Sequence, residues 1–192
     1  GSGAREPFRR LDRRPPRWPA PLTASREPRS RDMADLVARL PYDGRIRHVR
    51  DERYLEWRFR NPMRSYRFLY WDEGRLEGYL VLQAGWRQGR VHIVDGEARD
   101  DAVRARLLRG AIEISGAPEL VAWGATLGSE GRRLFEEKGF RPADVPITAT
   151  GRPCVLVRPI RDEDLAGEWS VAGRRLLDPA DWDLRMIVSM HG

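Results

Sequence analysis

The stretch SEGRRLFEEKGFRP, residues 129–142, reads as a helix that ends at a glycine and hands the chain on to an extended segment. Leu134 and Phe135 supply its apolar part and charged residues cover the rest. Gly139 stands where a left-handed C-cap needs a residue without Cβ.

Working outward from this stretch gives an alternation of helices and strands. Upstream, ELVAWGA (119–125) reads as a short buried strand. DDAVRARLLRGAIEIS (100–115) places Val103, Leu107, Ala111 and Ile114 on one face and predicts the longest helix. Before it lie three β-rich runs, SYRFLYW (65–71), LEGYLVLQ (76–83) and RVHIVDGEA (90–98). The tetrapeptide Asp72-Glu73-Gly74-Arg75 joins the first two as a hairpin, so three consecutive antiparallel strands are expected. RDMADLVARL (31–40) spaces Met33, Leu36, Val37 and Leu40 as an amphipathic helix stopped by Pro41. DERYLEWRF (51–59) predicts a second short helix with Asp51 as N-cap, broken by Asn61-Pro62. Downstream, RPCVLVRPI (152–160) and DWDLRMIVSM (181–190) are strand candidates, and a polar edge near 181–190 is a place where another subunit could pair. The fold class that follows is α/β (α+β), a mixed, mostly antiparallel central sheet flanked by helices.

Composition narrows the function. The 192 residues, 41% hydrophobic, suit one globular domain with a tail. No apolar run reaches the roughly 18 residues of a membrane span and no leader pattern opens the chain, so the expected location is cytoplasmic. Residues 1–31 hold nine Arg against Glu6, Asp12 and Glu27, a net of +6 that equals the charge of the whole chain. The remainder is therefore neutral. Residues 1–30 read as an Arg/Pro-rich linker or arm, with Phe8, Leu11 and Trp18 docking on a neighbour, and 31–192 as the folded domain. Nucleic acid is a poor fit, because prolines forbid a regular helix in the arm and no nucleic-acid module follows it. The single cysteine, Cys154, lies in the apolar run CVLV and reads as a buried thiol. The histidines at 48, 92 and 191 lack metal-ligand spacing, and no CxxC, HExxH, GxSxG or P-loop pattern occurs, so no metal site is expected.

The element order together with RRLFEEKGF resembles the GNAT superfamily of acyl-CoA-dependent N-acyltransferases. DERYLEWRFRNPMRSYRF (51–68) is similar to a variant found in GNAT-like proteins of bacterial surface-polysaccharide clusters, often as the second half of a tandem pair. The resemblance covers about residues 31–190. It implies a transferase that uses acetyl-CoA or another acyl-CoA, acts on a small amine or amino sugar, and works beside an upstream GNAT-like domain. Such proteins pair the cofactor's pantetheine with the first of two parallel central strands, here His92 to Ala98, and rest the pyrophosphate on amides at the start of the next helix. The resemblance thus assigns cofactor contacts to Val94, Gly96, Arg99, Arg104 and Ser129. It also calls for a carboxylate base on that strand, where Asp95 and Glu97 share one face by strand alternation and His92 lies on the other. Glu97 is the first choice for the base.

Two departures from the family pattern bear on activity. The glycine-rich phosphate turn is replaced by GEARDDAVRARL, with Asp100 and Asp101 in the first helical turn, where they favour the helix but repel an anion. The position of the family's tyrosine acid is Phe135, which has no proton to give. An alternative therefore stands beside the enzyme, a degenerate GNAT-like domain serving as scaffold or interaction module. Trp57, Tyr66, Tyr70, Trp71, Tyr79 and Trp86 gather where an acceptor groove would lie, but an aromatic core explains them better than a sugar-stacking surface. Trp123 is expected in the core.

Overall fold

In a computed structural model of the chain the described residues are 8, 21–84, 89–122, 127, 129–141, 170–176 and 178–185. The expected strand at 152–160, Cys154, Trp86 and Trp123 lie outside them, as does most of the arm.

Strands β3 (Tyr66–Asp72) and β4 (Leu76–Ala84) bury every residue from Tyr66 to Trp71 and from Leu76 to Gln83. Both faces are therefore covered, which is what continuous apolar runs demand. Gly74, at φ +88°, makes the turn between them. β5 (Arg90–Ala98) pairs antiparallel with β4, and β6 (Glu119–Ala122) pairs parallel with β5. An edge strand β1 (Leu22–Ser25) pairs antiparallel with β3, so the five-stranded sheet runs β1-β3-β4-β5-β6. The fold is α/β with a mostly antiparallel mixed sheet, as expected.

Helices cover the two faces. α1 (Ser30–Arg39) and α2 (Glu52–Phe59) bring Met33, Leu36, Val37, Leu55 and Phe59 onto Tyr66, Phe68, Tyr70, Tyr79, Val81 and Val94. α3 (Asp101–Ser115) lays Val103, Leu107, Leu108, Ala111 and Ile114 on Leu69, Trp71, Leu80, Leu82, Val91 and Ile93. Asp51 caps α2 as predicted, its carboxylate accepting from the Tyr54 amide at 2.7 Å.

The stretch at 129–142 forms α4 (Ser129–Glu137), with Leu134 buried against the α3 layer. Gly139 takes φ +88°, its amide donates to the Glu136 carbonyl, and the Phe140 amide donates to Phe135 O at 3.1 Å. The Phe135 and Phe140 rings meet edge to face at 4.8 Å. The spacing of the two phenylalanines thus closes the cap with an apolar contact, the usual accompaniment of a glycine stop.

Three expectations need correction. Leu22–Ser25 belongs to the sheet, so the folded unit starts inside the presumed arm; LTAS is too short and too plain to announce a strand. Phe8 is 2% exposed in the α3-side core, under the Arg67 guanidinium, and so docks on this domain itself. The strand expected over 181–190 is, within the described residues, the two-residue β9 (Trp182–Asp183), which pairs parallel with β2 (Ile46–Arg47) of the same chain. Between them, β7 (Ser170–Val171) and β8 (Arg174–Arg175) form a small hairpin, and a 3-10 turn, Pro179–Asp181, leads into β9.

A further difference moves the candidate site. The β4–β5 register steps from Leu82↔Ile93 to Val81↔Asp95, leaving Val94 as the extra residue of a bulge. Strict alternation fails there. Asp95 and Glu97 face the α1–α2 side with Tyr79 and Val81, and His92, opposite Gln83, is brought to that same side. The expected separation of His92 from the two carboxylates is overturned by one inserted residue. Gly96 then falls on the α3 side, where an added Cβ would sit 2.6 Å from Leu80 Cδ1 and 3.1 Å from the Tyr79 carbonyl oxygen. Gly96→Ala should lower unfolding free energy by about 1–3 kcal/mol through overpacking, read as a shifted urea midpoint; an unchanged midpoint would show that the strand relaxes freely at the bulge.

Candidate functional site

Asp95 and Glu97 do not stand alone on their face. The turn that ends in the α2 cap delivers Arg50 against them, 4% exposed. Its Nη1 donates to Asp95 Oδ1 at 3.1 Å and its Nη2 to Glu97 Oε1. The Tyr79 hydroxyl, fully buried on β4, donates to Asp95 Oδ2 at 2.9 Å. From the other end of the chain, Arg185 donates to Glu97 Oε1 at 3.2 Å, to Asp183 Oδ1 at 2.9 Å and to the Gly96 carbonyl at 3.1 Å. Arg45 reaches Asp183 at 3.9 Å and donates to the Trp182 carbonyl at 3.2 Å. Arg45 is also paired with Asp43 at 2.6 Å, so at the buried centre two guanidiniums, Arg50 and Arg185, meet Asp95, Glu97 and Asp183, and Arg45 and Asp43 extend the network to the surface.

Burial and pairing compete over each charge. For Arg50, desolvation favours the neutral form, but Asp95 and Glu97 outweigh it and hold the guanidinium above its ordinary value. Arg185 follows the same balance with Glu97 and Asp183. Burial pushes the Asp183 carboxyl up, yet Arg185 brings it below the ordinary range. Tyr79 is driven well up, first by burial and then by Asp95, and stays a hydrogen-bond donor. Burial also lowers His48, whose ring lies 5.4 Å from that of Tyr54 and whose nitrogens have no hydrogen-bond partner among the described residues. His92 is lowered by burial and by Arg90 and Arg64.

A cleft runs along β5 toward α3, next to the ion cluster. Leu80, Ile93, Leu107, Leu108, Ala122, Phe135 and Leu184 form its apolar walls, and Tyr79, Asp95, Glu97 and Arg185 of the ion cluster also line it. Its cavity of about 50 Å³ has room for water only, whereas small-molecule pockets run to roughly 300 Å³ or more.

The start of α3 is also occupied. Asp100 is the N-cap, its carboxylate accepting from the Val103 amide at 2.8 Å. That bond and Arg99 hold Asp100 below its ordinary value. Arg99, exposed, is engaged by Glu73 and Asp100. Arg104 lies 3.7 Å from Asp101.

Of the residues assigned to a cofactor, Val94, Gly96 and Arg104 border the cleft, Arg99 is spent on carboxylates at the surface, and Ser129 is the exposed first residue of α4. Asp95 and Glu97 come together within an ion cluster, and both also line the cleft. Sequence reasoning missed Arg50, Asp183 and Arg185. The available signal was the pair of acids on an otherwise apolar strand, since buried carboxylates require cations; nothing in sequence spacing says which arginines supply them. Among the aromatics, Tyr66, Tyr70, Trp71 and Tyr79 are core, as favoured, while Trp57 is 70% exposed. Among the described residues no helix is long and apolar enough to cross a membrane, and no group of three His, Cys, Asp or Glu is placed to hold a metal. No protein-family model, curated protein or solved structure matches the chain.

Two predictions follow from the cluster. Arg50→Met leaves Asp95 buried without a cation and Glu97 with Arg185 alone, and should cost about 3–5 kcal/mol of stability by urea unfolding, with part of the loss recovered when Asp95→Asn and Glu97→Gln are added; a loss under 1 kcal/mol would contradict the pairing. The pH dependence has a definite sign. His48 and His92 are lowered in the folded protein, whereas the unfolded chain takes up protons near 6.5. Stability is therefore complete above that value and falls as pH drops through the folded values. The thermal midpoint should decline from pH 7 to pH 5, and less steeply in His48→Gln.

Proposed function

We propose that this chain is a divergent GNAT-like domain that does not itself turn over acyl-CoA and serves as the scaffold or protein-interaction half beside a second, catalytic GNAT-like unit. The observation that carries this reading is the state of Glu97. Its Oε1 accepts from both Arg50 and Arg185, and its side chain is 9% exposed. A general base must offer a lone pair within reach of the proton it removes. Both charge-assisted bonds fall on Oε1 and hold the carboxylate as a counter-ion in a buried network that resists rearrangement, which leaves Oε2 alone for any work as a base.

The other positions point the same way. Asp100 places a carboxylate on the amides that would have to receive a pyrophosphate, and like charges in that seat repel. Phe135, at the position of the family's proton donor, packs edge to face on Phe140. Glu97, the start of α3 and Phe135 are thereby used for packing or for internal charge balance.

A second reading rests on one specific observation, the apolar cleft alongside β5. An acyl-CoA-dependent N-acyltransferase for a small amine or amino sugar would use such a cleft for the acyl-pantetheine arm. That reading brings with it a cytoplasmic location and a place in bacterial polysaccharide biosynthesis.

Calorimetric titration with acetyl-CoA and with free CoA separates the two. The proposal predicts no saturable heat up to about 1 mM ligand, a Kd weaker than about −4 kcal/mol of binding free energy. Micromolar binding that weakens in Arg104→Ala would overturn it in favour of the enzyme.

A further inference from the structure

A second cavity, of about 640 Å³, is bounded by the turn from β1 into α1, by α2 and by the start of β3. Its volume falls within the roughly 300–1,000 Å³ of small-molecule pockets, and it shares no lining residue with the β5 cleft. Six arginines border it, Arg26, Arg29, Arg31, Arg60, Arg64 and Arg67, against four carboxylates. The balance stays positive even with the Arg67 guanidinium set over the Phe8 ring. Two of the carboxylates are held internally, Asp32 by Arg29 at 2.6 Å and Glu56 by Arg60.

The start of α1 opens onto this cavity with its donors unmatched. The first intrahelical bond runs from the Met33 amide to the Arg29 carbonyl at 2.9 Å. The amides of Ser30, Arg31 and Asp32 precede it and have no acceptor among the described residues. Asp51 caps α2 and Asp100 caps α3, but no side chain caps α1, and the Asp32 carboxylate is turned to Arg29 instead. The Ser30 hydroxyl, on the cavity wall, is buried and also without a partner among the described residues. A buried hydroxyl left unmatched costs free energy. The turn that presents these donors is fixed by neighbours. The Tyr70 hydroxyl accepts from the Arg29 amide at 2.8 Å and donates to the Glu27 carbonyl at 3.1 Å, and the Ser25 hydroxyl accepts from the Glu27 amide at 2.9 Å.

We infer that this cavity binds the phosphate monoester of a small molecule that carries hydroxyl groups. A tetrahedral phosphate brings several acceptor oxygens to the three amides and the Ser30 hydroxyl, at the helix end whose dipole favours an anion. Arg31, exposed at that end, adds positive charge, as do Arg26 and Arg64. Glu27 and Glu52, on the same walls, accept from the hydroxyls of the organic body. That body fills volume that phosphate alone would leave to water.

The probe is glycerol 3-phosphate, titrated into the isotope-labelled chain at constant ionic strength and followed by amide NMR. Signals of Ser30, Arg31 and Asp32 should shift and saturate with a Kd of about 1 mM or tighter, while those of α3 stay in place. Glycerol should shift nothing. Inorganic phosphate should bind the same amides at least about threefold weaker, lacking the contacts to Glu27 and Glu52. Arg31→Ala, an exposed substitution, should weaken the ester by about tenfold, and Ser30→Ala by about threefold. Arg104→Ala, at the β5 cleft, should leave the ester's affinity unchanged, which separates this site from the acyl-CoA question.

No saturating shift at about ten times that Kd, shifts spread equally over α3, or full affinity in Arg31→Ala would overturn the inference. A phosphoserine peptide that bound more tightly than glycerol 3-phosphate would overturn the small-molecule assignment in favour of a protein partner.

Discussion

Arg50 sets the terms for the middle of this domain. Its guanidinium is buried between Asp95 and Glu97 on β5, and removing a partner from such a buried group is costly. The contact ties the turn before α2 to the central sheet, and through Glu97 it engages Arg185 near the other end of the chain. Three segments distant in sequence are joined by one ion cluster. The bulge at Val94 is what makes this possible, because it turns Asp95 and Glu97 to the side from which Arg50 arrives.

The same charges shape what the site can do. A carboxylate on β5 could serve as a base, an anchor for a cationic ligand, or a structural counter-ion. Position alone does not choose among these. With Arg50 at 3.1 Å from Asp95 and Arg185 at 3.2 Å from Glu97, the counter-ion role is filled by the chain itself. The start of α3 repeats this logic, since Asp100 supplies the negative charge that a helix N-terminus attracts. Two places that would suit ligands in an open site are closed by neighbouring side chains.

The sequence carried the architecture well where local chemistry dictates it. Gly139 stops α4, Asp51 caps α2, Gly74 turns the β3–β4 hairpin, and the apolar spacing of α1 and α3 names the residues that reach the core. It failed where structure depends on distant partners. LTAS becomes a strand because β3 offers it an edge, and residues 182–183 pair with β2 rather than extending as a long strand. The bulge at Val94 has no signature of its own, so an alternation argument put His92 on the wrong face. For the site, Asp95 and Glu97 were legible as unusual acids on an apolar strand, but Arg50 and Arg185 lie 45 and 88 residues from the carboxylates they meet. In a chain with 35 basic residues nothing local distinguishes these two.

A double-mutant cycle on Arg50→Met and Glu97→Gln, read by urea unfolding, tests most directly whether the β5 carboxylates are consumed by this cluster. The account predicts a coupling energy of about 2 kcal/mol or more, toward the upper end for residues in contact. Additivity of the two substitutions to within about 0.5 kcal/mol would contradict it and return Glu97 to the pool of free catalytic groups.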